Sequence, residues 1–253
     1  MDGRRDTRVI GIFAPPAIDA GLAELIRDAV ELHEDGADLV DLDTMPDGPF
    51  AGADDDTIAL LARGLSEAGV PVCVTTTSAS IAQNAVDHGA AWINDPSGTT
   101  ADPRMREVAA GPRAGWIVGP WSTRRADWYG GGGEADAYTD GLVRNLATLL
   151  DAGVRSDSIV LHAGAGLTAD DDEPWRMLNH LDRISALGYP VLIDGRDDIL
   201  AAMSSDDSAE RLGDAAVGLT VLATGLRAWG IRVRSVGRVA GAIQRLLEPR
   251  QSA

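Results

Sequence analysis

PVCVTTTSASIAQNAVDHGAAWINDPSG, residues 71–98, decides the fold of this chain. It opens on a β-branched run, 71–76, continues through a Ser/Ala-rich segment with apolar residues at helical spacing, and closes on a second apolar run, 89–95. Gly89 stands where the helix is expected to end. The order strand, helix, strand predicts one βαβ unit. Its strands end at Thr75 and Asn94, and the carboxyl ends of parallel strands are where such sheets bind ligands.

The same unit repeats along the chain. Short apolar strands are predicted over 8–13, 38–43, 71–76, 89–95, 115–119, 158–162, 190–194 and 230–234. Helical periodicity follows each strand, for example over 20–34, 175–187, 212–223 and 239–247. Eight strand and helix pairs predict an α/β protein, a single (β/α)8 barrel over residues 1–253. A doubly wound open sheet is the structural alternative, but the count of eight favours a closed barrel.

Composition limits the possible partners. The formal net charge of −17 argues against nucleic acid and anionic membrane surfaces, which require clustered positive charge. All 22 basic residues counted as Lys and Arg are Arg, which excludes Schiff-base chemistry. The single cysteine, Cys73, has no partner for an internal disulfide, as is typical of a reducing compartment. Since the sequence also has no apolar leader or run of 18 apolar residues, we expect a cytoplasmic protein.

Four separated phrases resemble a known family. They are EDGADLVD at 34–41, GAAWINDPSG at 89–98, IVLHAGAGL at 159–167 and GYPVLI at 188–193. Their order and spacing are similar to those of dihydropteroate synthases, members of the pterin-binding barrel family. The resemblance implies a transferase fold that condenses a pterin methyl-diphosphate with p-aminobenzoate in folate biosynthesis. It also implies a pterin ligand, magnesium, and a homodimer formed through late helices, for which the Ala/Leu-rich segment 212–223 is the candidate surface.

The chain departs from that family at most of the expected site positions. Thr75 and His162 stand where synthases have pterin-binding aspartates, whereas Asn94 matches the family's pterin-binding asparagine. The seventh strand runs into Asp-Gly-Arg-Asp-Asp, 194–198, instead of a Ser-Arg-Lys phrase, and the eighth reads Arg-Val-Arg, 232–234, instead of Arg-Val-His. A buried carboxylate can accept two hydrogen bonds from the edge of an aminopyrimidine. An imidazole in its place must donate on one nitrogen, so a bound pterin loses this pair of hydrogen bonds. The sequence therefore predicts a non-standard active site that does not support synthase activity.

Eight polar residues remain as candidates at the expected barrel mouth. For acid–base catalysis these are Asp43, His162 and Asp194; for substrate binding they are Thr75, Asn94, Arg196, Arg232 and Arg234. The alternatives are structural: Asp43 and Asp194 cap the following helices, the arginines neutralise an acidic mouth, and Asp41 is structural. No closely spaced ligand motif supports a metal site.

Three functions remain open. The first is a repurposed enzyme acting on a pterin-like or other small anionic or carbonyl substrate. The second is a non-catalytic pterin or folate binder, or a regulatory paralogue of an active enzyme. The third is a true dihydropteroate synthase with altered contacts. A loop over 120–134 with Arg124, Arg125 and four successive glycines, 130–133, is either a phosphate-binding closure or an ordinary surface loop.

Overall fold

The computed structural model describes residues 7–119, 134–163, 181–204 and 208–247. Eight parallel strands close in chain order into a barrel, and the eighth pairs with the first. The strands are β1 (Arg8–Ile12), β2 (Leu39–Asp43), β3 (Val72–Thr75), β4 (Trp92–Asp95), β5 (Gly115–Val118), β6 (Ile159–Ala163), β7 (Val191–Gly195) and β8 (Gly230–Val233). The predicted (β/α)8 barrel is confirmed, and the open sheet is wrong.

Helices alternate with the strands. They are α1 (Leu22–Glu34), α2 (Asp55–Glu67), α3 (Ala79–Asp87), α4 (Met105–Ala109), α5 (Glu134–Asp151), α6 (Leu181–Ser185), α7 (Asp197–Ser204), α8 (Ala209–Gly225) and α9 (Val236–Leu247), and a short 3-10 helix spans Ser156–Ser158. Asp54 caps the start of α2 and accepts a hydrogen bond from the backbone N–H of Thr57, at 2.7 Å. Gly89 follows α3 with φ of 100°, a conformation that glycine adopts readily. Helix α7 was not predicted.

Strand alternation divides the apolar core in two. One set of strand side chains faces the helices and forms the large outer core with residues such as Leu25 and Leu61. The other set fills the barrel, and its apolar layer is Ile10, Leu39, Cys73, Ile117, Val160 and Leu192. Trp92 and Trp229 pack against this layer with ring centroids 4.7 Å apart. The interior is therefore filled by side chains, as barrels of eight strands require.

Some predictions fall on residues that the structure leaves undescribed. The glycine-rich loop with Arg124 and Arg125 lies outside the described residues, and so does the first part of the helix predicted over 175–187. Within the described ranges, no helix is long and apolar enough to span a membrane. Helix α8 exposes Val221 and Leu222 by 47% and 48%, and Leu226, the residue that follows the helix, is 51% exposed.

Candidate functional site

A polar layer lies directly above the apolar layer of the barrel. Because side chains alternate along a strand, the residue two positions after each inward-facing apolar residue also faces inward. In β2, β3, β6 and β7 these residues are Asp41, Thr75, His162 and Asp194. Asn94 of β4 and Arg232 of β8 complete the layer, and all six residues are at most 2% exposed.

Arg232 is the central cation of this layer. Its Nε donates to Asp41 Oδ2 at 2.8 Å, and its Nη2 donates to Asp43 Oδ2 at 2.6 Å. Its Nη1 lies 3.4 Å from Asp194 Oδ1. A buried guanidinium requires such partners, since an unpaired buried charge costs several kcal/mol. Arg232 is thus held by three carboxylates inside the barrel.

These contacts shift the acidity of the buried groups. Burial by itself would lower the pKa of Arg232, but the charges of Asp41, Asp43 and Asp194 outweigh it and raise that pKa. Burial raises the pKa of Asp41, and attraction to Arg232 only partly opposes this effect. For Asp194 burial is overcome by Arg232, His162 and Arg196, and the pKa falls below its usual range. Asp194 is therefore the carboxylate that stays ionised most firmly.

His162 lies between an amide and a carboxylate. Its Nδ1 is 3.0 Å from Asn94 Oδ1, and its Nε2 is 3.3 Å from Asp194 Oδ2. The second contact is close enough for electrostatic attraction but does not have hydrogen-bond geometry, so Nε2 is a buried nitrogen without a hydrogen-bond partner in the described part of the chain. The hydroxyl of Tyr138, on α5, donates to the backbone carbonyl of His162 at 3.0 Å and fixes the end of β6.

The six residues of the polar layer form a closed circuit, which we call the polar ring. Its order is Arg232, Asp41, Thr75, Asn94, His162, Asp194 and back to Arg232. Sequence reasoning treated Asp41 as structural and so missed a member of the ring. The signal was available, because a residue two positions before Asp43 in one strand points to the same side.

The remaining arginine candidates are also paired with carboxylates. Arg196 contacts Asp47 at 3.2 Å and Asp198 at 2.8 Å, and its Nε lies 3.7 Å from Asp194 Oδ2. Arg234 lies outside the ring, 42% exposed, with its Nε 3.2 Å from Asp197. The structure thus brings seven of the eight candidates together around the ring and leaves Arg234 at the surface.

Asp43 has two roles in this geometry. Besides the contact with Arg232, its Oδ1 accepts from the backbone N–H of Met45 at 2.9 Å and shapes the loop after β2. Gly48 packs against it, and a methyl group at that position would lie 2.6 Å from Asp43 Oδ1.

A second buried carboxylate organises the loop after β4. Asp95 accepts from the backbone and hydroxyl of Ser97, at 3.0 and 2.7 Å, and from the backbone of Thr99 at 2.6 Å. Burial raises the pKa of Asp95 to about 6, although these hydrogen bonds act in the opposite direction. Thr99 has a φ of 73°, in the left-handed region that non-glycine residues rarely adopt. Asp95 thus stabilises a strained loop beside Asn94.

The carboxylates that could bind magnesium are already engaged. Asp43 and Asp194 both face Arg232, and no group of three or more His, Cys, Asp or Glu side chains in the described ranges is arranged to hold a metal ion. The described residues therefore do not fit the magnesium site that the resemblance implies.

Comparison with known proteins places the chain in a family. The family described as pterin binding enzyme matches residues 17–233, which is most of the chain. The chain belongs to the pterin-binding enzyme family. Its polar ring is thus a feature of one member of that family, at the barrel end where (β/α)8 enzymes place their active sites.

Curated members of the pterin-binding family differ in activity. Dihydropteroate synthase from Mycobacterium leprae is 28% identical over 240 residues, covering 87% of this chain and 83% of that protein. The inactive dihydropteroate synthase 2 of the same organism is 30% identical over 235 residues, covering 85% of this chain and 77% of that protein. The family therefore includes active synthases and at least one inactive relative.

Solved structures of the pterin-binding family support the fold. Dihydropteroate synthase from Xanthomonas albilineans in complex with 7,8-dihydropteroate aligns over 96% of this chain and 94% of that chain, with a TM-score of 0.78 and 20% identity. The enzyme from Anaplasma phagocytophilum with bound 6-hydroxymethylpterin-monophosphate aligns with a TM-score of 0.77 and 24% identity, over 96% of this chain and 100% of that chain. At these identities the likeness establishes the barrel and its topology.

Proposed function

We propose that this barrel is a repurposed member of the pterin-binding family that carries out acid–base chemistry on a small substrate instead of dihydropteroate synthesis. One observation carries the proposal: His162 is anchored through Nδ1 to Asn94, while Nε2, beside Asp194, has no hydrogen-bond partner among the described residues. An imidazole that is anchored through one nitrogen, and whose other nitrogen lies 3.3 Å from a carboxylate without a hydrogen bond from the described residues, is suited to proton transfer.

The surroundings of His162 support a role in proton transfer. Asp194 remains a carboxylate because its pKa is lowered, and it lies 3.3 Å from Nε2 of His162. Asn94 fixes the orientation of the ring from the opposite side. In this reaction His162 accepts and returns the proton at Nε2, Asp194 stabilises the charged ring, and Asn94 positions it.

The pairing of the arginines with carboxylates argues against an anionic substrate. Arg196, Arg232 and Arg234 each face at least one carboxylate, so none is a free cation for a diphosphate. We therefore propose a pterin-like or carbonyl substrate rather than an anionic one. A proton on carbon next to a carbonyl or an imine is the kind that His162 would remove.

Solvent exchange tests this function without knowledge of the product. Purified protein is incubated in D2O with a panel of 7,8-dihydropterins and small ketones, and deuterium uptake is followed by mass spectrometry. We expect catalysed exchange into at least one compound, and His162→Gln should lower its rate by about 10²–10⁴-fold. His88→Gln is the matched control, because His88 contacts the backbone of α3 and lies outside the ring. No exchange into any compound, or equal rates in the two variants, would contradict the proposal.

Complementation separates this proposal from a true synthase with altered contacts. We expect that the chain does not support growth of a strain lacking dihydropteroate synthase in medium without folate products. Rescue of growth by the wild-type chain would end the claim that synthase chemistry has been lost.

A non-catalytic pterin or folate binder is the second candidate, and burial of the polar ring favours it. Its six residues are at most 2% exposed, and the charges within it are mutually paired. The relative named inactive dihydropteroate synthase 2 is similar over 85% of the chain. Calorimetric titration with 7,8-dihydropteroate and tetrahydrofolate, with and without magnesium, distinguishes the candidates: micromolar binding without any solvent exchange favours the binder.

A further inference from the structure

The hydrogen bonds of the polar ring have a direction. An ionised carboxylate only accepts, a hydroxyl donates one hydrogen, and an amide has one accepting and one donating end. Asp41 Oδ2 accepts from Arg232 Nε at 2.8 Å, and this contact with a permanent cation favours the ionised carboxylate against the burial that raises the pKa of Asp41. Because Asp41 is an acceptor, the donor and the acceptor in each of the following side-chain hydrogen bonds are also determined.

Thr75 donates one hydrogen bond to Asp41 and accepts one from Asn94. Its hydroxyl oxygen lies 2.8 and 3.0 Å from the two carboxylate oxygens of Asp41, so its one hydrogen is donated there. The same oxygen lies 3.0 Å from Asn94 Nδ2 and must accept from it. The amide of Asn94 is therefore oriented with its nitrogen towards β3 and its oxygen towards β6.

The last bond reaches the imidazole. Asn94 Oδ1, an acceptor, lies 3.0 Å from His162 Nδ1. Only a protonated Nδ1 can make this hydrogen bond. In the neutral ring, which carries a single proton, Nε2 then has the lone pair.

We propose that Asp41 and Thr75 are positioning residues that, acting through Asn94, hold the proton of neutral His162 on Nδ1 and keep Nε2 as the proton acceptor. The relay crosses from β2 through β3 and β4 to β6, and each link is a buried hydrogen bond between side chains. The use of Nε2 in catalysis rests on the proposed function; the position of the proton does not.

The tautomer is measured directly in the intact protein. Protein labelled with 15N at histidine gives long-range proton–nitrogen spectra in which the two ring nitrogens differ, depending on which one carries hydrogen. The chain has 4 histidines, and the His162 signals are identified by their loss in His162→Gln. At a pH where the ring is neutral, we expect protonated Nδ1 and unprotonated Nε2. The opposite tautomer in the wild-type protein overturns the proposal.

Two substitutions at position 75 test the relay itself. Thr75→Val keeps the shape and removes the hydroxyl, so Asn94 loses its partner and its orientation. We expect the Nδ1–H form to fall from nearly all molecules to about half or fewer, because Asn94 no longer holds the proton on Nδ1 against the attraction of Asp194, 3.3 Å from Nε2. Thr75→Ser retains the hydroxyl and should keep the wild-type tautomer. A folded Thr75→Val protein with an unchanged tautomer overturns the relay.

The design separates this inference from the proposed function. If Thr75→Val does not fold, the wild-type and Thr75→Ser spectra still decide the position of the proton. If the tautomer is as expected but no substrate exchanges protons, the relay holds and the acid–base function fails. If exchange occurs with the proton on Nε2, acid–base activity holds, but the relay is wrong and Nε2 of His162 is not the proton acceptor.

Discussion

The guanidinium of Arg232 and the carboxylate of Asp41 are separated by 191 residues in sequence, and they meet 2.8 Å apart inside the barrel. This contact joins the last strand to the second across the barrel interior. It exists only because β8 closes against β1, which brings both strands around one axis. The contacts of Arg232 therefore support a structural role inside the barrel more directly than a role in substrate binding.

Removal of Arg232 should be strongly destabilising. Arg232→Met leaves Asp41, Asp43 and Asp194 buried without their cation, and we expect a loss of about 3–5 kcal/mol in the free energy of unfolding at pH 7. The measurement is urea denaturation. Arg234→Met is the control, because its side chain is 42% exposed and its ion pair should contribute about 1 kcal/mol or less. Equal losses in the two variants would contradict the account of the ring.

The Arg232→Met deficit should also depend on pH. Arg232 helps to hold the pKa of Asp194 below its ordinary value, so the stability it contributes is present above the unfolded pKa and is lost as the pH falls through the folded pKa. In the variant the buried carboxylates gain protons more easily. The difference from wild type should therefore shrink as unfolding is measured at progressively lower pH, and a constant difference would count against this explanation.

The contribution of Asp95 to stability should depend on pH in the opposite direction to that of Asp194. Its pKa is raised from 3.8 to about 6, so between these values the folded protein keeps a proton that the unfolded chain releases. Its contribution to stability falls as the pH rises through this window, by on the order of 3 kcal/mol. Asp95→Asn removes the titration and also the acceptor for the backbone of Thr99, which costs about 1–3 kcal/mol.

The measurement for Asp95 is the difference in unfolding free energy between wild type and Asp95→Asn across pH 4 to 7. The wild-type advantage should be largest near pH 4 and should decline towards pH 7. An advantage that grows with pH would show that the carboxylate is stabilised in its ionised form.

A glycine pair tests the packing around Asp43. Gly48→Ala places a methyl group 2.5 Å from the backbone oxygen of Asp43 and 2.6 Å from its Oδ1, and it should cost about 1–3 kcal/mol, because the loop backbone and the carboxylate must both shift. Gly218 lies in the exposed interior of α8 with nothing within 4 Å of an added methyl group. Gly218→Ala should stabilise by about 0.5–1 kcal/mol through helix propensity. Thermal unfolding of both variants should thus give shifts of opposite sign, and a neutral Gly48→Ala would contradict tight packing at Asp43.

The homodimer expected from the family resemblance remains a prediction. The exposed apolar side chains Val221 and Leu222 of α8, with Leu226 just after it, are where a second copy would bury surface. Sedimentation should give a dimer for the wild-type chain and a monomer for Leu222→Glu, with Leu60→Glu on α2, at similar exposure, as the control. A monomeric wild-type protein would contradict the predicted homodimer.

Sequence patterns predicted the fold well because each unit carries local signals. The βαβ unit from Val72 to Asp95 combines β-branched strands with a glycine that ends the helix, and both features depend only on neighbouring residues. Helix α7 escaped prediction because it is short and begins with Asp197 and Asp198 directly after β7, where they resemble loop residues.

The site could be predicted only in part. Strand ends identify Thr75, Asn94, His162 and Asp194, since any parallel barrel brings these positions to one mouth. The pairing of Arg232 with Asp41 depends on the register of closure and on side-chain reach, which no local pattern encodes. For this reason the sequence interpretation listed Arg232 for substrate binding, with neutralisation of an acidic mouth as the alternative, and the contacts with Asp41 and Asp43 favour the alternative.

The polar ring also restricts how this barrel can evolve. His162→Asp, the change that resemblance to the synthases suggests, would set a new carboxylate beside Asp194 Oδ2 and against the oxygen end of Asn94. That single substitution places acceptor against acceptor in a buried site, so we expect it to lower stability. A substitution that changes the donors or acceptors of one ring residue is therefore tolerated best when its neighbours change with it. The closed circuit couples six positions from six strands, so they are expected to vary together and not one at a time.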